Sequence, residues 1–224
     1  MTSSKTTTPR GAKGTARLLG WRRVLYPSLF FAGVIYYEEV FLKLYCFQSI
    51  SLAGIAFTLL FTLPIAALLG LLCGGVSTRK GQILLPLCTG IISLWLGSQA
   101  VYYHLFKTFM TIFSLTKMFM VAQSFGNTVI TEVLINWFPI LMMALPVCAA
   151  VYFRKRLVPP QPQADGLRLR WAGLAALLQL AAMGIVMLCN SGPLSIRYIY
   201  TQSATPDLEV QNFGMLTQTC LGVR

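Results

Sequence analysis

The chain has 224 residues, of which 56% are hydrophobic and only 11% charged, and it carries a formal net charge of +12. This is too apolar for an ordinary soluble globular domain and marks an integral membrane protein. Because the cations flank apolar runs, their excess sets orientation and contact with anionic lipid, and no nucleic-acid partner is expected.

Residues 1–23 hold Lys5, Arg10, Lys13, Arg17, Arg22 and Arg23 with no acid, among many Ser, Thr and Gly. They read as a disordered basic cytoplasmic tail. Five apolar runs follow, at Val24 to Phe47, Ile50 to Leu72, Ile83 to Tyr103, Val129 to Phe153 and Trp171 to Cys189. Each approaches the ~20 residues that a helix needs to cross ~30 Å of hydrocarbon. The first run lacks a small-residue cleavage site and is expected to be a retained span. The fold class is therefore an all-α membrane protein, with a five-helix transmembrane domain over residues 24–189.

Orientation comes from the cations between the runs. Arg79 and Lys80, then Arg154, Lys155, Arg156, Arg168 and Arg170, join the tail on one side, whereas Lys43, Lys107, Lys117, Arg197 and Arg224 are all that the other side holds. The N-terminus is thus expected in the cytoplasm and residues 190–224 outside. Small residues in and just after the second run (Gly54, Ala66, Gly70, Gly74, Gly75) and in the fifth (among them Gly173, Ala175, Ala182, Gly184) permit close helix contact and make these two the candidates for the bundle interior. Residues 104–128 repeat His104, Lys107, Thr108, Thr111, Ser114 and Lys117 every three or four positions, as a helix lying in the outer interface would.

Catalytic motifs are missing. A single histidine, His104, leaves no HExxH or multi-histidine metal site, and no GxSxG or Walker loop is present. No cofactor is expected in this chain. The six cysteines lack a CxxC pair, and only Cys46, Cys189 and Cys220 fall toward one side, where a disulfide could form. What remains is ionisable residues near the outer ends of the spans. Glu38, Glu39 and Lys43 stand near the end of the first run, with Glu39 and Lys43 on one helical face. The plain structural reading is an interfacial pair that orients the helix. The functional reading joins them with His104, Lys107, Lys117 and Glu132 in an outer vestibule that would steady an anionic lipid headgroup or dock a second domain. No catalytic residue is assigned.

The block Tyr36-Tyr37-Glu38-Glu39-Val40-Phe41-Leu42-Lys43-Leu44 resembles the first helix of the lipoteichoic acid synthase family. The aromatic and methionine-rich segment between the third and fourth runs is similar to that family's corresponding region, as is Asn212-Phe213-Gly214-Met215-Leu216-Thr217-Gln218-Thr219. The resemblance implies a membrane anchor that precedes an extracellular sulfatase-like domain, which transfers glycerol phosphate from phosphatidylglycerol and holds the catalytic threonine and a divalent metal. That domain would lie beyond Arg224, so truncation, a frameshift or an engineered end is expected, and the chain alone should be inactive. A stand-alone scaffold for partner transferases and a small transporter are the alternative readings. Transport would call for ionisable groups near the midplane.

Overall fold

The computed structural model describes residues 10–47, 51–111, 131, 133–160, 167–189, 195–202 and 205–221. Among these the chain is all helical, with α1 Arg10–Phe47, α2 Leu52–Gly74, α3 Thr78–Phe106, α4 Trp137–Leu157 and α5 Leu167–Leu188 as the long elements. Three short helices close the chain: α6 Ile196–Gln202, α7 Pro206–Phe213 and α8 Met215–Leu221. The first helix begins at Arg10, inside the segment read from sequence as a tail. Helices α2, α3, α4 and α5 are long and apolar enough to cross a membrane. In α1 the acids Glu38 and Glu39 fall within the apolar run and lower its hydropathy, so a count of four is what composition and length establish.

Helix α1 packs on both α2 and α3, α4 packs on α3, and α5 packs on α2. The main core joins Phe31, Ile35 and Leu42 of α1 to Ala66 and Cys73 of α2 and to Leu85, Leu96 and Ala100 of α3. Close approach of α1 and α2 depends on missing side chains. A Cβ at Gly70 would lie 2.6 Å from Ser28 Cα, and one at Gly74 would lie 3.0 Å from Val24 Cα. Ala66, Gly70 and Gly74 thus form a small-residue stripe at four-residue spacing, the pattern that lets membrane helices touch backbone to backbone.

The fifth helix differs from the sequence expectation. Only 22% of its apolar window is buried, against 44% for α2, and Leu177, Leu180 and Leu188 point outward. Ala175, Ala182 and Val186 seat it on the bundle, while a Cβ at Gly173 or Gly184 would meet nothing within 4 Å. Small residues on α5 therefore serve one contact face of an edge helix. Helix α4 starts at Trp137, and residues 131 and 133–135 of the same apolar run are also helical, so the run is broken at Asn136, which sits in a non-helical conformation. Asn136 is buried and its side-chain oxygen accepts the Tyr45 hydroxyl. Pro139 then falls in the first turn, where its missing N–H leaves no intrahelical bond unmade.

Only residues 104–111 of the segment expected as an interfacial helix are described. His104 and Phe106 end α3, and Lys107 turns the chain in the left-handed conformation at φ 54°. Phe109 and Met110 then fold back into the bundle, where Gln99 receives Met110 N–H at 2.9 Å and donates to its carbonyl at 3.3 Å. All six cysteines are free, and the disulfide possible among Cys46, Cys189 and Cys220 is not formed.

Candidate functional site

The site lies where the end of the chain returns to the first helix. Glu38, Glu39 and Lys43 are 0%, 2% and 2% exposed, so all three are withdrawn from both lipid and water. Burying such groups is tolerated only with partners. Glu39 finds them in the backbone of α8: Met215 N–H donates to Oε2 at 2.7 Å and Leu216 N–H donates to Oε1 at 2.8 Å. A carboxylate of α1 thereby caps the first turn of a helix more than 170 residues away, matching its charge to the positive end of that helix. Lys43 Nζ donates to Gly54 O at 3.2 Å, to Gln211 O at 3.1 Å and to the Thr58 hydroxyl, which occupies all three of its hydrogens. Glu38 accepts the Ser93 hydroxyl of α3, while its Oε2 has no hydrogen-bond partner.

Helices α7 and α8 form a short hairpin hinged at Gly214. That residue has φ 93°, and a Cβ there would stand 2.9 Å from Glu39 Oε2 and 3.0 Å from its Cδ. Both the backbone conformation and the space demand glycine. On the near side of the hinge Phe213 is buried among Phe57, Phe61 and Tyr200, at ring separations of 6.0, 5.7 and 5.4 Å. Beyond it Thr219 accepts the Trp95 indole N–H at 3.3 Å. Asp207, in the first turn of α7, accepts Phe109 N–H at 3.3 Å. Glu39 precedes Phe47, the end of α1, by about 12 Å along the axis at ~1.5 Å per residue. The hairpin therefore reaches well inward from the Phe47 end of α1, with its non-helical backbone at Gly214 enclosed by protein, as irregular backbone at such depth must be.

A comparison with protein families matches residues 20–220 to the lipoteichoic acid synthase N-terminal domain. The chain belongs to this family. Neither a search of curated proteins nor one of solved structures gives a match. The lipoteichoic acid synthase N-terminal domain is a multi-pass, membrane-anchoring unit here, with bilayer lipid around its apolar helices.

Two blocks that carried the family resemblance, Tyr36 to Leu44 and Asn212 to Thr219, are the two sides of this one junction. Of the residues singled out from sequence, the structure brings Glu38, Glu39 and Lys43 together and buries them. His104 and Lys107 stand exposed at the end of α3, with the His104 ring 6.1 Å from that of Tyr45. Lys117 and Glu132 lie outside the described residues. Sequence reading missed Gly54, Thr58, Ser93, Gln211 and Gly214. A usable signal was there, since three ionisable groups inside an apolar helix require internal partners, and Gly214 opens a short helix whose first backbone N–H groups, those of Met215 and Leu216, are free to supply them.

The junction's carboxylate and ammonium bond backbone and hydroxyl groups of the protein itself, so the arrangement fixes a chain segment in place. No group of three or more His, Cys, Asp or Glu residues suited to a metal ion occurs among the described residues. Gly214→Ala tests the hinge: the left-handed strain of roughly 1–2 kcal/mol adds to the clash with Glu39, and the variant should melt at lower temperature in detergent than the parent. An unchanged melting temperature would contradict the hinge geometry.

Proposed function

We propose that this domain anchors and orients an extracellular phosphoglycerol transferase domain and presents phosphatidylglycerol to it, with its N-terminus cytoplasmic and α1 as a fifth membrane span. The observation that carries this reading is the pair of hydrogen bonds that Met215 and Leu216 N–H donate to the Glu39 carboxylate. Through it the segment leading out of the bundle is fastened to α1, so a domain attached after it would inherit a fixed position over the outer surface. A free linker would leave such a domain at varying height and angle above the lipid. Burial of Glu38, Glu39 and Lys43 supports a spanning α1, because their charges are turned to protein and the lipid side keeps residues such as Leu29 and Leu44.

Exposed Lys107, held in its left-handed turn at the outer end of α3, is the cation best placed to meet an anionic headgroup there. One basic residue near an anionic surface contributes about 1 kcal/mol. Lys107→Glu should therefore lower phosphatidylglycerol retention severalfold in native mass spectrometry of the chain released from mixed-lipid nanodiscs. Equal retention by parent and variant would remove the support for lipid presentation at this end.

A further inference from the structure

At the end of the bundle away from the junction, α3 begins where α4 finishes. The Gln82 side-chain amide donates to Val158 O at 3.0 Å, and a Cβ at Gly81 would lie 3.0 Å from Val158 Cγ1, so the first turns of α3 stand against the end of α4. Five cations lie within about a turn of that contact: Arg79 and Lys80 on α3, and Arg154, Lys155 and Arg156 in the last turn of α4. All five are exposed, and among the described residues none of their side chains has a hydrogen-bond or ion-pair partner. The described acids are elsewhere. Glu38 accepts from Ser93 in the middle of α3, Glu39 from the start of α8, and Asp207 and Glu209 belong to α7, which meets Phe109 beyond the far end of α3. Asp165, the acid that the sequence places between α4 and α5, lies outside the described residues and has one charge to set against five.

Such crowding of one sign is unfavourable. Helix α3 has no acid in its first turn, so Arg79 and Lys80 oppose the positive end of its dipole, and the three cations on α4 repel them further. Anionic groups over the two helix ends would relieve both. Four-residue spacing puts Ile83 and Leu87 in line with Arg79, and Val151 and Tyr152 in line with Lys155 and Arg156. These four side chains are 49–79% exposed, on helices long and apolar enough to cross a membrane. The partner that fits is therefore charged at one end and apolar beyond it, which describes an anionic lipid and not a soluble polyanion. Because the cations are divided between two helices, whose axes pack roughly 8–10 Å apart, two anionic groups match them better than one. We propose that the seam between α3 and α4 binds a lipid whose headgroup carries two phosphodiesters joined by a short bridge, one held by Arg79 and Lys80 and the other by Arg154, Lys155 and Arg156. Lys107 closes α3 at its other end, so this site stands whether or not lipid is presented there.

The probes are cardiolipin, which has such a headgroup, and phosphatidylglycerol, which has a single phosphodiester. The whole chain is released from phosphatidylcholine nanodiscs holding one or the other at equal phosphate, and bound lipid is read by native mass spectrometry. Cardiolipin should be retained about tenfold better or more. Arg79→Gln with Lys80→Gln, and separately Lys155→Gln with Arg156→Gln, should each lower cardiolipin retention by about tenfold or more, as loss of two basic contacts does. Arg170→Gln removes an exposed cation from the start of α5 at the same end of the bundle and should change nothing. Arg79→Lys with Arg156→Lys keeps both charges and should keep most of the preference, which covers the case in which the glutamine variants fold poorly. Equal retention of the two lipids by the parent overturns the site, as does an undiminished preference in a folded double-glutamine variant or a loss as large in Arg170→Gln. Inorganic pyrophosphate added in solution should not displace cardiolipin; displacement would assign the cations to a soluble anion and overturn the lipid.

Discussion

Replacing Glu39 by alanine should free α7 and α8 from the bundle while leaving the five long helices formed. The substitution removes the acceptors that Met215 and Leu216 N–H have on α1, and it leaves Lys43 buried without the nearby opposite charge. Hydrogen bonds to a charged group are worth roughly 1.5–3 kcal/mol each, and breaking one side of a buried charged cluster costs about 3–5 kcal/mol. Stability of the hairpin should fall by an amount in that range. Glu39→Gln should cost less, because the amide oxygen still accepts one N–H while its NH2 opposes the other. Glu39→Asp should resemble alanine more than glutamine, since one methylene less takes the carboxylate out of reach of both amides. Limited proteolysis of the chain in nanodiscs checks the order: cleavage between Thr205 and Leu221 should be fastest in the alanine variant, intermediate in the glutamine variant and slowest in the parent.

The second large effect is expected at the contact of α1 with α2. In Gly70→Ala the new Cβ would lie 2.6 Å from both Ser28 Cα and Ser28 N, and backbone cannot step aside as the end of a flexible side chain can. The helices must separate, with a loss of about 1–3 kcal/mol from overpacking and more for Gly70→Val. Gly90 of α3 is the matched control, since a Cβ there meets nothing within 4 Å. Alanine at that position should be neutral or should stabilise by up to about 1 kcal/mol through helix propensity. Thermal unfolding of the three variants in one detergent separates packing from propensity. Equal losses at Gly70 and Gly90 would contradict the close crossing.

Much of this fold was legible because hydropathy and helix length are local properties. The apolar runs locate α2, α3 and α5 to within a few residues, and the stripe of Ala66, Gly70 and Gly74 marks α2 as a helix that others approach closely. The same logic fails for α5, whose small residues line a single contact face while its leucines turn outward, because composition does not say how many neighbours a helix has. The fourth apolar run is broken at Asn136, whose side chain accepts the Tyr45 hydroxyl, a contact set by tertiary structure. At the junction, spacing puts Glu39 and Lys43 on one face and the three ionisable residues near the C-terminal end of α1. It does not reveal that the chain comes back, more than 170 residues later, to bring Gly214 and the first turn of α8 against them. The family resemblance had both halves in view as separate segments, and geometry shows them to be partners.

The central claim is that the segment leaving the bundle is fastened to α1. Hydrogen–deuterium exchange of the whole chain in nanodiscs, read on peptides covering residues 205–221, tests it most directly. Met215 and Leu216 amides bonded to Glu39 should exchange as slowly as those in the middle of α2, and Glu39→Ala should speed them by orders of magnitude without changing α2. Rapid exchange across 205–221 in the parent chain, at the rate of an unstructured peptide, would contradict the account.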